Sequence, residues 1–290
     1  MIAAAALAAT IAVAPLRHVS FDGRDRTYRV YRPPHLSRTH AVPLVVMLHG
    51  GFGSSAQAER AYHWDEAAAK DGFVVLYPDG VGRSWNAGTC CGMPARQQID
   101  DVGFLTNAIE RVERDEHIDP ARIVVAGMSN GAMMAYRMAC EAPISLYGIA
   151  SVAGTMTSSC DAPKPTNVVE IHGDADRNVP YDGGTGRGFA RVNARSVDSV
   201  IARWSAIDGC HHAAPLARGP VSMTTYGCDD KRIVFLVTVH GAGHQWPGGR
   251  PPGPAAVRLA HRLGIAGLDE PSTALDATAT IVHAMHLAPF

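Results

Sequence analysis

The chain has 290 residues, of which 47% are hydrophobic and 18% are charged, so it is long enough to bury one large core. Its formal net charge is −1, with 26 basic and 27 acidic residues, which leaves no electrostatic footprint for nucleic acid or an anionic membrane surface. Composition therefore favours a single domain with a small neutral partner and argues against nucleic acid as a ligand.

Half of the first sixteen residues, Met1 to Leu16, are alanine, and none of the sixteen is charged. This stretch is too short to span a bilayer, so stable membrane insertion is not expected. It resembles the apolar core of a secretory signal ending in Ala12-Val-Ala14, although the basic segment that opens such signals is missing. The alternative is an alanine-rich leader with no export function. We expect a leader or signal remnant at 1–16, one domain at 17–290, and a secreted or periplasmic protein.

The chain after the leader begins with two strand patterns. Residues 18–31 alternate apolar and polar side chains around Asp22-Gly23, which predicts an antiparallel hairpin at a sheet edge. Residues 43–53 form an apolar run that ends in glycines, as expected of a parallel strand buried on both faces.

Strand and helix patterns then alternate. The remaining predicted strands are 73–79, 122–126, 147–154, 167–173 and 232–239, and the predicted helices are 56–70, 100–116, 132–139, 196–207 and 273–286. This alternation predicts an α/β fold with a mostly parallel central sheet and helices on both faces. The breaker-rich stretch 80–97, between the predicted strand at 73–79 and the predicted helix at 100–116, is expected to be an ordered, functional loop. Glu170, inside an otherwise apolar strand, has no explanation in the pattern.

Ser129 stands at the centre of Gly127-Met-Ser-Asn-Gly131, with a β-branched run before it and a helix pattern after it. A strand, an abrupt turn with glycines on both sides of a serine, and a helix together indicate a nucleophile elbow. The glycines are expected because the turn packs tightly and a Cβ would clash there. The bare pattern is weak, but its surroundings favour a catalytic serine.

A serine hydroxyl needs a base to become a good nucleophile. In α/β-hydrolases the acid and then the histidine follow the serine, on loops after later strands. Asp174 and Asp176 follow one such strand, and His244 follows the next. We expect Asp176 to be the acid, because it lies farther out on its loop while Asp174 belongs to the turn. With fourteen histidines a single one is weak support, and a structural histidine is the alternative; place and order together favour His244.

A metal site is not expected. His240 and His244 have the spacing that holds zinc on a helix. However, Gly241 and Gly243 disfavour a helix, and the adjacent pair Cys90-Cys91 lacks the spacing of a ligand pair. No other cofactor is indicated.

Acyl transfer places negative charge on an oxygen, which backbone N–H groups usually stabilise. One expected donor is the amide of Asn130, directly after the nucleophile. The other is expected from the loop His49-Gly-Gly-Phe52, with Gly51 favoured over Phe52. Without the elbow, these glycines would be interpreted as an ordinary strand-ending turn.

Seven segments together resemble a known family. They are Leu48-His-Gly-Gly51, Tyr77-Pro-Asp-Gly80, Ser84-Trp-Asn-Ala-Gly88 with Cys90-Cys-Gly92, Asp100-Asp-Val-Gly-Phe104, Gly127-Met-Ser-Asn-Gly131, His172-Gly-Asp-Ala-Asp-Arg-Asn-Val-Pro-Tyr181 and Gly243-His-Gln-Trp-Pro-Gly-Gly249. The chain is similar to the secreted bacterial esterases that include polyhydroxybutyrate depolymerase-like and feruloyl esterase-like proteins. The resemblance implies an α/β-hydrolase catalytic domain that hydrolyses carboxylic esters through Ser129, Asp176 and His244. The charge-free N-terminus and Glu170 depart from it.

The expected partner is a small or oligomeric ester. Trp85, Trp246 and Phe52 are candidates for lining its pocket, although tryptophans more often belong to the core. The sequence does not choose among hydroxyalkanoate, feruloyl, acetyl and synthetic polyester substrates, and it indicates no oligomeric state. Alternatives are a non-catalytic binding protein on the same fold, or a peptidase or thioesterase with the same triad.

The chain contains six cysteines, an even number that favours disulfides in an exported protein. They are Cys90, Cys91, Cys140, Cys160, Cys210 and Cys228. Six cysteines allow fifteen full pairings. Cys210 and Cys228 are expected to pair locally, across a breaker-rich loop. The other four are expected to join the Trp85 loop to the region after the elbow helix, and buried free cysteines are the alternative.

Overall fold

A mixed eleven-stranded sheet forms the centre of the protein. The structure is a computed structural model, and it describes residues 13–211, 215–253, 258 and 269–287, so most of the predicted leader lies outside the described residues. The strands are β1 (Leu16–Phe21), β2 (Arg24–Tyr31), β3 (Val42–Leu48), β4 (Val74–Pro78), β5 (Ile118–Met128), β6 (Gly148–Val152), β7 (Asn167–Gly173), β8 (Gly184–Thr185), β9 (Asn193–Ala194), β10 (Cys210–His211), β11 (Leu216–Arg218), β12 (Val221–Cys228) and β13 (Ile233–Val239).

Helices cover this sheet. They are α1 (Ser55–Ala61), α2 (Trp64–Asp71), α3 (Gly92–Arg96), α4 (Asp101–Glu116), α5 (Asn130–Glu141), α6 (Val197–Ile207) and α7 (Ala277–Ala284), with one 3₁₀ turn at Val81–Arg83. In the parts of the chain that are described, no helix combines the length and the apolar character needed to cross a bilayer.

The strand order is β1-β2-β4-β3-β5-β6-β7-β13-β12-β10, with β11 beside β12 and with β8 and β9 forming a separate ribbon. The six neighbouring strands β4, β3, β5, β6, β7 and β13 pair in parallel. The hairpin of β1 and β2 and the strands beyond β13 pair antiparallel. The predicted hairpin and the mostly parallel sheet of an α/β-hydrolase are thus confirmed.

The parallel strands are buried on both faces. Every residue of β3, β4, β6 and β7 is buried. Within β3, Leu44 and Val46 pack into one apolar cluster, while Val45 and Met47 pack into the other. Because alternate side chains of a strand point to opposite faces, each continuous apolar run supplies both layers of the core.

Several elements differ from the sequence-based expectation, including the short helix α3 inside the stretch 80–97 that was expected to be irregular. The helix predicted at 56–70 is broken at His63, which has a left-handed backbone with φ 60° and separates α1 from α2. The closing helix begins only at Ala277, because Asp276 caps it by accepting a hydrogen bond from the amide of Ala279. The antiparallel strand β12 was not predicted, since its burial is mixed along its length.

All six cysteines form disulfides. Cys210 pairs with Cys228, as predicted, where β10 meets β12. The expected link from the Trp85 loop to the region after the elbow helix is wrong. Cys140, at the end of α5, is bonded to Cys160, and their Cα atoms are 4.9 Å apart, which suits a disulfide. Cys90 is bonded to its neighbour Cys91, so neither reaches the other segment.

Candidate active site

Ser129 lies on a strained turn between β5 and α5. Its backbone has φ 54° and ψ −117°, outside the regions that side-chain-bearing residues normally adopt. A Cβ on Gly127 would overlap the backbone of Gly131, and a Cβ on Gly131 would overlap the carbonyl oxygen of Leu48. Both glycines of the elbow are therefore needed to bring α5 against β3 and to present the serine at the carboxyl ends of the strands.

Three side chains predicted to act together do lie in contact. His244 Nδ1 is 2.7 Å from Asp176 Oδ2, and His244 Nε2 is 2.9 Å from Ser129 Oγ. Because a carboxylate only accepts hydrogen bonds, Nδ1 carries the proton and donates it to Asp176. Nε2 is then free to accept a hydrogen bond from the Ser129 hydroxyl. Each residue follows the end of a parallel strand, namely β5, β7 and β13.

The Asp176 carboxylate is fixed on more than one side. Its Oδ1 accepts hydrogen bonds from the backbone amides of Asn178, at 2.7 Å, and Val179, at 2.9 Å. Burial alone would raise the pKa of this carboxyl, but the electrostatic interaction with His244 and hydrogen bonds from His172 and His244 outweigh it and hold the pKa well below its usual value. Asp176 is therefore an anion in the folded protein.

The loop after β3 contains Gly51 and Phe52, the two amides considered for the oxyanion. The N–H of Phe52 donates to the carbonyl of Arg83 at 2.8 Å, and that of Gly53 donates to Gly50 at 3.0 Å. Among the described residues, the N–H of Gly51 has no such partner. This difference favours Gly51 over Phe52, the order expected from the sequence. The amide of Asn130 starts α5, where N–H groups lack helical partners.

His49 holds this loop in position and was not singled out from the sequence. Its Nδ1 donates to the carbonyl of Gly50 at 2.8 Å, and its Nε2 accepts from the amide of Gly80 at 3.0 Å. Burial lowers the pKa of His49, so the ring stays neutral and keeps this one tautomer. The loop is thereby tied to the end of β4.

The side chain of Asn130 has a structural role that the sequence did not indicate. Its Oδ1 accepts hydrogen bonds from the hydroxyl of Ser84, at 3.0 Å, and the amide of Trp85, at 2.7 Å. Its Nδ2 donates back to the carbonyl of Trp85 at 3.1 Å. The long loop after β4 is therefore fastened directly to the elbow.

The two tryptophans expected in the pocket belong to the core. Trp85 is fully buried and donates from Nε1 to the carbonyl of His49 at 2.9 Å. Trp246 is buried too and stacks on Tyr62, with ring centroids 4.5 Å apart. Neither side chain is open to a ligand, because each fills a site between secondary-structure elements. The expectation that they line the pocket is corrected accordingly.

Phe52, by contrast, is open to solvent. Its side chain is 49% exposed and meets the ring of Phe189, which is 69% exposed, edge to face at 5.2 Å between centroids. Phe189 was not predicted from the sequence, because it lies in an irregular segment without an apolar pattern.

In the described ranges, no group of three or more His, Cys, Asp or Glu side chains is placed to hold a metal ion.

Known proteins resemble the chain over most of its length. A protein named "Putative esterase NocK" from Nocardia uniformis subsp. tsuyamanensis is 32% identical over 85% of this chain and 78% of its own. Feruloyl esterase B of Piromyces equi is 27% identical over 73% of this chain, which spans only 41% of that protein. Among solved structures, an acetyl xylan esterase from Aspergillus awamori has a TM-score of 0.61 at 16% identity, covering 87% of this chain and 100% of its own. This last likeness shows the fold alone.

The fold and these relatives define a class: the chain is an α/β-hydrolase that hydrolyses carboxylic esters. The family model described as Esterase PHB depolymerase matches residues 26–173, from β2 to the end of β7. The chain belongs to the Esterase PHB depolymerase family. The matched segment contains Ser129 and ends before Asp176 and His244.

Proposed function

We propose that Ser129, His244 and Asp176 are the catalytic triad with which this esterase cleaves its substrates. The observation that carries the proposal is the unbroken pair of hydrogen bonds, 2.9 Å from serine to histidine and 2.7 Å from histidine to aspartate. Such a chain links a nucleophile, its base and the group that orients the base. It starts at a strained turn, where a hydroxyl is presented to substrate.

The reaction proceeds in two acyl transfers. His244 takes the proton of Ser129 as the oxygen attacks the ester carbonyl, and Asp176 stabilises the imidazolium that forms. The amides of Gly51 and Asn130 donate hydrogen bonds to the negative oxygen of the tetrahedral intermediate. The imidazolium gives its proton to the leaving alcohol, and the acyl group stays on the serine. Water then attacks in the same way, which releases the acid and restores the enzyme.

We infer that the preferred acyl group is flat and aromatic, as in feruloyl esters. Phe52 directly follows the proposed donor Gly51, and its ring and that of Phe189 leave a large apolar area in contact with water. A planar acyl group would cover both rings, whereas an acetyl group is too small to do so. The name of the Piromyces equi relative, a feruloyl esterase, supports the same class.

The test is a panel of substrates with purified protein. Methyl ferulate and p-nitrophenyl acetate are compared with a feruloyl thioester and a feruloyl amide. We expect kcat/KM for the aromatic ester to exceed that for the acetyl ester, after correction for leaving-group reactivity, by about tenfold or more. Faster cleavage of the thioester or amide would contradict the proposal. Binding of ferulate without turnover of any ester would favour a non-catalytic protein.

We propose that the protein acts outside the cytoplasm. Its three disulfides are the support, because cytosolic thiols are usually kept reduced. Fractionation of the producing cells, followed by activity measurement in medium and periplasm, tests this, and activity confined to the cytoplasm would contradict it.

A further inference from the structure

A line of buried side chains continues from Asp176 to residues that the mechanism above does not use. Oδ2 of Asp176, which accepts from His244, also lies 3.4 Å from His172 Nε2. His172 Nδ1 lies 2.9 Å from Glu170 Oε1, and the hydroxyl of Tyr136 donates to Glu170 Oε2 at 2.8 Å. Glu170 and His172 are each 1% exposed. The carboxylate that the apolar strand pattern did not explain therefore has two partners.

The hydrogen bonds restrict where the protons of His172 lie. Nε2 is 2.9 Å from the carbonyl oxygen of Val179, which can only accept, so Nε2 carries a hydrogen. One further proton lies between Nδ1 and Oε1 of Glu170. With Asp176 also facing the ring, that proton favours Nδ1, which gives an imidazolium between two carboxylates. Burial alone would lower the pKa of His172, but its hydrogen bonds and charge interactions with Asp176 and Glu170 raise it to about 10.

Other groups around the ring are neutral or distant. Tyr181 meets His172 edge to face at 5.8 Å, and its hydroxyl is 3.0 Å from that of Thr238 and 3.4 Å from a carboxylate oxygen of Asp198. From α5, Tyr136 reaches Glu170 and not the ring itself. Of the described elements packed here, β7 and the loop after it supply the charges that act on His172.

We propose that Glu170 keeps His172 positively charged and that this charged ring holds the Asp176 carboxylate in place for His244. Both are positioning residues, since neither touches the reacting atoms. An isolated cation at position 172 would cancel the charge with which Asp176 supports the imidazolium of His244. Because Glu170 balances that cation, the buried group keeps one net negative charge for catalysis. The inference rests on the proposed function, since it assumes that Asp176 belongs to the triad.

The proposal predicts a change in pH dependence. A histidine with a raised pKa in the folded protein is charged below that value and loses its charge as the pH rises through it. Glu170→Gln removes one of the two carboxylates that oppose the effect of burial, so the charge of His172 is lost at a lower pH than in the wild type. The kcat of the variant relative to wild type should fall by about tenfold or more between pH 6 and pH 9, since the charged fraction falls tenfold per pH unit above the pKa. KM should change little.

Tyr136→Phe is the matched control, because it removes one hydrogen bond to Glu170 and leaves both charges in place. It should show a small loss of kcat that is the same at every pH. A loss in Glu170→Gln that is equally independent of pH would mean that Glu170 has only a structural role, and this result would overturn the proposal. Full activity of Glu170→Gln across the range would also overturn it.

The protonation of His172 can also be measured directly in the wild-type protein, so this test does not depend on whether a variant folds. In protein labelled with ¹⁵N histidine, the ring of His172 is assigned by its through-space contacts to Tyr181 and Val179. We expect both ring nitrogens to carry protons at pH 8, and a neutral ring would overturn the proposal. This result does not depend on turnover, so it is independent of whether replacing Ser129 with alanine abolishes activity, which tests the triad itself. Activity remaining in Ser129→Ala would instead contradict the proposed function.

Discussion

Asp174 Oδ2 lies 2.8 Å from Nδ1 of His240, on the surface of the protein. Asp176, two positions later, binds His244 instead, at 2.7 Å. The two aspartates of this loop therefore serve different histidines. The geometry favours Asp176 as the acid of the proposed triad, and a pair of matched substitutions can separate them.

Asp176→Asn should reduce kcat by about 10⁴-fold, as the equivalent change does in a serine protease, because the amide no longer orients the right tautomer of the histidine. Asp174→Asn is the control, and its kcat should stay near the wild-type value. Steady-state kinetics on p-nitrophenyl butyrate measure both. The opposite ranking would assign the acid to Asp174.

Replacing Ser129 with alanine should lower kcat by about 10⁶-fold, the size of the loss in subtilisin when its nucleophile is removed. Ser222 is an unusually close control, because its hydroxyl is 2.7 Å from His240 Nε2 and so completes a serine, histidine and aspartate set with Asp174. It lies within the regular strand β12 and not on a strained turn. Ser222→Ala should keep full activity, and the assignment fails if the two variants behave the other way round.

The exposed ring of Phe189 should contribute mainly to binding. Phe189→Ala should raise KM for methyl ferulate by about tenfold, the equivalent of losing contact with one aromatic ring, and leave kinetics on p-nitrophenyl acetate unchanged. Leu216→Ala, another exposed apolar side chain, is the control for a general surface effect. Equal losses on both substrates would argue against an aromatic acyl site.

Asp65 should make stability depend on pH. Burial raises its pKa from 3.8 to about 7, although the hydroxyl of Tyr77 donates to it at 2.7 Å. The stability that comes from its protonated form is present below about pH 4 and is lost as the pH rises through 7. Asp65→Asn should therefore raise the free energy of unfolding at pH 8 by about 1–2 kcal/mol, a value reduced to allow for partial exposure, with little gain at pH 4.

Urea denaturation at the two pH values measures this effect. Asp22→Asn, a change at an exposed carboxylate in the turn between β1 and β2, is the control and should show no such difference between pH 4 and pH 8. A gain in Asp65→Asn that is the same at both values would contradict the prediction.

The disulfide between Cys210 and Cys228 should stabilise the edge of the sheet. It closes a loop with a sequence separation of 18, so replacing both cysteines with serine should lower the free energy of unfolding by roughly 3 kcal/mol in the chain-entropy account. Urea denaturation measures the loss. Mass spectrometry of a non-reduced digest checks the pairing in exported protein, and finding both residues there as free thiols would rule it out.

The parts of the structure that follow from local patterns could be predicted. The turn at Ser129 and the buried strand β3 each depend on residue types within a few positions, so the sequence indicates them directly. The antiparallel strand β12 could not be predicted, because its sequence has no regular apolar pattern and it is held in the sheet by pairing with β13. The break at His63 is a choice of backbone conformation that no nearby glycine or proline signals.

The same division applies to the candidate site. Ser129, Asp176 and His244 could be predicted, because each one follows a strand that its own neighbouring residues indicate. The burial of Trp85 and the contact of Glu170 with Tyr136 depend on elements far away in the sequence. The type of a residue, hydrophobic or charged, does not by itself show whether its side chain lies in a pocket, in the core or against a buried partner.

Gly131 packs against the carbonyl oxygens of Leu48 and His49, so the helix after the nucleophile and the loop that carries Gly51 touch through main-chain atoms. The distance between the two proposed oxyanion donors is therefore set by a contact between main-chain atoms. Substitution of nearby side chains leaves those atoms in place. Phe52 and Phe189 stand outside this contact, with their rings in solvent. Under the proposed function, substitutions at positions 52 and 189 would change the ester preference without altering the backbone contact that sets the two donors.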